Sequence, residues 1–124
     1  MKNTTHQPRS FALILPIPPA MNNLYVNIPG KGRGMTQKGK DWKTAAGHEV
    51  RKHWRGEPSK KAFCIDLDVY VKYMRDADSS TKVVLDSMQG IVYENDSQVE
   101  EIRLRRFKAA KGEEGWIDVT VTEK

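Results

Sequence analysis

From Phe63 to Met74 the chain alternates more strictly than anywhere else along its length. Phe63, Ile65, Leu67, Val69, Val71 and Tyr73 fall on one parity, and Cys64, Asp66, Asp68, Tyr70 and Lys72 on the other. Successive side chains of a strand point to opposite faces, so this pattern predicts a long strand with one face on a core and one toward water. Such a strand needs partners, and the sequence offers three. Phe11 to Ile17 is β-rich and apolar, and Pro16, Pro18 and Pro19 end it because proline cannot donate to a ladder. Val99 to Phe107 and Trp116 to Thr122 read as the other two, with Lys108 to Gly115 (KAAKGEEG) as a hairpin connection between them.

Two helices complete the pattern. Thr36 is a good N-cap for a helix running to about Trp54, with Trp42, Ala46, Val50 and His53 or Trp54 on its buried side. Asp78 or Ser79 caps a second, about Ser80 to Gln89, and Gly90 sits where a left-handed C-cap is wanted. Asn27 to Gly34 (NIPGKGRG) reads as a basic glycine loop, and Trp42, Trp54 and Trp116 as core residues. The order β-α-β-α-β-β predicts a small α/β (α+β) domain around a mixed sheet. Residues 1–10 read as a flexible tail and residues 11–124 as one domain, since 124 residues are too few for two separate cores.

Charge narrows the partners. Twenty-one Lys and Arg against 16 Asp and Glu leave +5, which favours a polyanion without identifying one. No apolar run approaches the roughly 20 residues of a membrane helix, and no membrane partner is expected. With Cys64 the only cysteine, no intrachain disulfide can form and an intracellular, cytoplasmic setting is expected. His6, His48 and His53 lack metal-ligand spacing, and no thiolate cluster exists for zinc. Gly34 to Asp41 (GMTQKGKD) approximates a phosphate-binding loop, but Asp41 stands where Ser or Thr must meet magnesium.

The acidic residues around the second helix carry more chemistry. Asp76 and Asp78 follow the long strand, Lys82 lies one turn beyond Asp78, and Asp96 precedes the next strand. A mixed sheet can bring these three carboxylates together, and clustered carboxylates bind a cation or raise a pKa. Oxygen ligands without His or Cys select magnesium, manganese or calcium. The plainer reading of the same residues is capping by the aspartates and an ion pair of Lys82 with Asp78 or Asp86.

Arg75 to Lys82 (RDADSSTK), followed by Asp86, Gly90 and Asp96-Ser97-Gln98-Val99, resembles the RusA family of Holliday junction resolvases. Pro18-Pro19-Ala20-Met21-Asn22-Asn23-Leu24-Tyr25 is similar to its Pro-Pro-x-x-Asn-x-x-Tyr segment, and Thr36, Gly39, Trp42 and Lys43 match its helix start. The resemblance implies a homodimeric, Mg2+-dependent nuclease, with Mn2+ able to substitute, that cuts four-way junction DNA by paired incisions. It implies Asp76, Asp78 and Asp96 as catalytic metal ligands, Lys82 as a stabiliser of phosphate charge, and Arg75 as a DNA contact. Lys31, Arg33, Lys38, Lys40 and Lys43 then become candidate phosphate contacts, with Asn22, Asn23 and Tyr25 as supports or further contacts. Ser79 and Asn95 depart from the pattern, where Asn and an acid are usual. A flap- or fork-selective nuclease and a non-catalytic DNA-binding module are the alternatives.

Overall fold

In the computed structural model, which describes residues 9–73 and 80–124, the alternating stretch forms β4 (Phe63–Val71). It lies inside a four-stranded mixed sheet between β6 (Trp116–Glu123) and β5 (Val99–Lys108), with β1 (Ser10–Pro16) beyond β6. β1 and β6 pair antiparallel, as do β6 and β4, while β4 and β5 run parallel. Register keeps the apolar residues on one side: Leu67 lies opposite Val119 on β6 and Leu104 on β5, and Val119 opposite Leu13 on β1.

That side is the core. Phe63, Ile65, Leu67, Val69 and Val71 are almost wholly buried, together with Ile117, Val119 and Val121. Full burial of such a side chain contributes about 1.5–3 kcal/mol before the cost of ordering it. The cover is α2 (Gln37–Arg51), which gives Trp42, Ala46 and Val50, and α3 (Ser80–Met88), which gives Val83, Val84, Leu85 and Met88. Thr36 caps α2 as expected, accepting from Gly39 N at 3.1 Å. The α+β class, the mixed sheet and the order of the principal elements stand as the sequence predicts.

Several details differ, each for a local reason. β4 stops at Val71 rather than Met74, because its neighbours run out: β5 ends at Lys108 opposite Val71 and β6 starts at Trp116 opposite Tyr70. α2 stops at Arg51, three residues short of Trp54, whose indole swings into the core and donates to Glu57 O at 3.2 Å. The basic glycine loop is a hairpin, β2 (Tyr25–Ile28) with β3 (Gly32–Met35), following the short α1 (Met21–Leu24). Gly30 and Gly32, at φ of +75° and +85°, supply the left-handed backbone that its turn requires. Trp116 is half-buried rather than core. It stacks on Tyr70 at 4.3 Å on the open face of the sheet, and Tyr70 stacks in turn on Phe107 at 4.8 Å.

Lys108 to Gly115 is not a hairpin turn, because β5 and β6 are separated by β4. The segment instead crosses the carboxyl end of β4, and Gly115 is where it touches: a Cβ there would meet the Tyr70 carbonyl oxygen and lie 2.8 Å from Ile17 Cγ1. Gly115→Ala is therefore expected to lower unfolding free energy by about 1–3 kcal/mol, as overpacking does. Urea denaturation measures it, and an unchanged midpoint would refute the close approach.

Candidate active site and nucleic-acid interface

Asp96 opens a single 3-10 turn, Asp96–Gln98, immediately before β5. Asn95 caps this turn by accepting from Ser97 N at 2.9 Å, and Gln98 completes the reciprocal box by accepting from Asn95 N at 3.0 Å. Gln98 also accepts from Glu94 N and donates to Ser59 O and Lys61 O, at 2.8–2.9 Å, tying the turn to the segment that leads into β4. Asp96 N is held by Gln89 Oε1 at 3.2 Å, just past α3. The backbone of Asp96 is thus fixed from two sides, while its carboxylate makes no hydrogen bond or ion pair with another described side chain.

α3 supplies the neighbours. Lys82 and Asp86, four residues apart on one helix face, pair at 3.5 Å, with Lys82 exposed and Asp86 largely covered. The plainer pairing anticipated for Lys82 is therefore present. The lysine end of this pair is exposed and the distance long, so the ammonium is only weakly held. The β2–β3 hairpin brings Tyr25 and Arg33 to the same place. Arg33 lies over the Tyr25 ring at 5.3 Å, and the Tyr25 hydroxyl is buried without a hydrogen-bond partner among the described residues. Burial pushes the Tyr25 phenol upward, Asp86 adds to that shift, and Lys82 and Arg33 oppose it. Tyr93 lies on the inner side, its hydroxyl donating to Leu85 O at 2.6 Å, and it feels both Asp96 and Asp86.

The structure accordingly gathers Lys82, Asp86, Tyr25 and Arg33, and reaches Asp96 through Gln89 and Tyr93. Asp86, Gln89 and Gln98 were not singled out as site residues in the sequence. Gln98 and Asp86 stood within the matched motifs, and Asp86 also lay at the i to i+4 spacing from Lys82. Arg75, Asp76, Asp78 and Ser79 lie outside the described residues, as does the Asn22 side chain. Val99 of β5 pairs with Phe63, so Asp96 stands at the amino end of β4.

The basic residues divide. Lys31 is exposed in the hairpin turn, its N donating to Ile28 O. Lys38 is exposed on the first turn of α2, while Lys40 and Lys43 line a groove between α2 and the end of α3. Asn23 has a structural part, its carbonyl accepting from the Thr36 hydroxyl. Trp42 and Trp54 are core residues, as expected.

Among the described residues no three His, Cys, Asp or Glu side chains gather into a metal-binding group. The donor chemistry near α3 is nonetheless all oxygen, from Asp96, Asp86 and the unpartnered Tyr25 hydroxyl. That set suits a hard cation such as magnesium and not zinc. Among the described residues, no helix is long and apolar enough to cross a membrane.

A family model for endodeoxyribonuclease RusA matches residues 16–122. No curated protein matches the chain.

Tyr93 gives the site a pH signature in stability. Burial first, then Asp96 and Asp86, raise its phenol far above the ordinary 10.0, so the folded state holds this proton more tightly than the unfolded chain. Its contribution is complete below about pH 10 and is lost as pH rises further. Urea midpoints should fall between pH 9 and pH 11. Tyr93→Phe should flatten that fall while costing about 1 kcal/mol at pH 8 through the lost bond to Leu85. A slope unchanged by the substitution would contradict the assignment.

Proposed function

Because the chain belongs to the RusA family of endodeoxyribonucleases, which its match over residues 16–122 establishes, we propose that it is a magnesium-dependent nuclease resolving four-way DNA junctions. It would act as a homodimer, since two strands of like polarity must be cut and a two-fold protein matches a two-fold junction. Its setting would be the cytoplasm of a bacterial or phage-infected cell. The family match carries this reading. The grouping of Lys82, Asp86 and Asp96 around α3 supports it.

In this reading Asp76, Asp78 and Asp96 hold Mg2+, with Mn2+ able to replace it. When bound, the ion supplies charge neutralisation at the phosphate and acidifies water. The chain's own residues do the rest. A water oxygen bonds to phosphorus in line with the leaving sugar oxygen, the water's proton passes to a carboxylate or to solvent, and that phosphorus–oxygen bond breaks as the departing oxygen takes a proton from solvent. Lys82 Nζ, freed from its weak pairing with Asp86, meets the charge that builds on the phosphoryl oxygens. Asp86 keeps the ammonium on the correct face before substrate arrives. Gln89 and Gln98 hold the Asp96 turn rigid, so that its carboxylate is placed before binding. Arg75, Lys31, Arg33, Lys38, Lys40 and Lys43 offset the repulsion between an acidic centre and DNA phosphates.

Asn95, where the family usually has an acid, acts in this structure as the cap of the Asp96 turn. Asn and Asp cap equally well. The departure thus preserves the scaffold and removes one negative charge, which bears on metal count rather than on whether the site forms.

The test is direct. Purified protein with labelled four-way junction, flap and duplex, with and without Mg2+, should cut the junction in paired symmetric positions only when Mg2+ is present. Preferential cutting of flap would shift the reading to a flap- or fork-selective nuclease. Binding without cleavage of any substrate would leave a DNA-binding module. Asp78→Asn should abolish cleavage while junction binding persists, and near wild-type cleavage by that variant would overturn the ligand assignment.

A further inference from the structure

Beyond the hairpin and the start of α2, the same helix carries basic side chains on to its last turn, His48 and Arg51, which no motif marks. A groove of about 760 Å³ runs between α2 and the end of α3 with the turn through Gly90 and Ile91. One wall is a single helical stripe, Lys40, Lys43, Thr44, Gly47, His48 and Arg51, at the three- and four-residue intervals that share a face. Gly47 closes the floor: a Cβ there would lie 3.4 Å from Ile91 Cδ1 and 3.7 Å from Ser87 O. The helix therefore sits close against the opposite wall.

Lys40, Lys43 and Arg51 are exposed and make no ion pair with a described carboxylate, unlike Lys52, Lys72, Lys82, Arg103, Arg105 and Lys124. Among the described residues, the one acid lining the groove, Asp86, already faces Lys82. The groove thus presents three uncompensated cations on a rigid stripe. Gln89, which lines it, also holds Asp96 N, so the groove opens beside the proposed centre. From Lys40 to Arg51 the stripe spans about 16 Å at 1.5 Å per residue. That is roughly five nucleotides of a duplex strand at 3.4 Å each.

We infer that this groove is a track for the sugar–phosphate backbone of the DNA arm flanking the cut, with Lys40, Lys43 and Arg51 on phosphates and His48 as a further donor. The inference rests on the nuclease reading above and adds where the arm lies. Contacts of this kind position the duplex without reading its sequence. They explain why α2 keeps a basic stripe as far as its last turn, well past the amino-terminal segment where family motifs cluster.

The experiment is a salt titration of binding, by fluorescence anisotropy in EDTA, of labelled four-way junction and of a plain duplex with the same arm sequence. Each phosphate contact contributes about 0.9 to the slope of log affinity against log salt. Lys43→Ala/Arg51→Ala should reduce that slope by about 1.8 and weaken both ligands at least about tenfold at 0.1 M salt. Lys43→Arg/Arg51→Lys should retain the wild-type slope. If the alanine pair lowers the melting temperature, Lys43→Gln/Arg51→Gln replaces it. Wild-type protein that cuts the junction, beside a neutralised variant with an unchanged slope, overturns the groove and the phosphate contact of Lys43 while leaving the nuclease reading in place. Wild-type protein that neither binds nor cuts overturns the nuclease reading and the groove with it.

Discussion

Two adjacent strands that run parallel cannot be joined by a tight turn, and β4 and β5 are such a pair. The chain must leave the carboxyl end of β4, cross the sheet, and return to the end where β4 began. α3 occupies that crossover, and most of the proposed chemistry sits on it or beside it. Lys82 and Asp86 ride on the helix, Gln89 follows it, and Asp96 starts the return strand. The helix is held by Val83, Val84, Leu85 and Met88, which are buried against the sheet and α2. A rigid apolar underside is what allows an exposed ion pair on its top to keep a defined place.

Electrostatics around the crossover are arranged in layers. The buried layer contains Tyr93, whose proton is held by burial and by the negative charges of Asp96 and Asp86. Above it Tyr25, Arg33, Lys82 and Asp86 balance one another at partial exposure. Outermost are the lysines and arginines of the hairpin and α2, which face solvent. Among the described residues, carboxylates therefore lie toward the inside of this region and unpaired basic side chains toward its outside. This is the order needed to bring phosphate to a carboxylate site.

The sheet and the two long helices were legible because their hydrophobic periods are strong: Phe63 to Val71 and Trp116 to Glu123 alternate strictly, and Trp42, Ala46 and Val50 share a helix face. What the sequence hid was set by distance along the chain. The KAAKGEEG segment has hairpin composition, yet it spans β4, because strand order is decided by which faces bury against which partners and not by the connecting residues. The hairpin over residues 25–35 escaped notice because its four-residue strands carry little apolar alternation. Trp116 reads as a core residue by its size, yet it shares parity with Asp118, Thr120 and Thr122 and lies with them on the face that no helix covers, stacked on Tyr70. Of the candidate site, Asp76, Asp78, Asp96 and Lys82 were proposed from ordered motifs, while the contacts of Asp86, Gln89 and Gln98 are displayed only by the folded chain.

The proposed cation-binding centre beside α3 and the turn at Asp96 is open to direct observation. Substoichiometric Mn2+ added to isotope-labelled protein reports it directly, because a bound paramagnetic ion broadens the amides nearest to it. Asp96 and Gln89 are expected to broaden first, together with amides between Asp76 and Asp86, and Asp96→Asn to remove the effect with the fold intact. Broadening confined to other acidic surfaces, such as Glu100 and Glu101 on β5, or broadening indifferent to Asp96→Asn, would contradict that proposal.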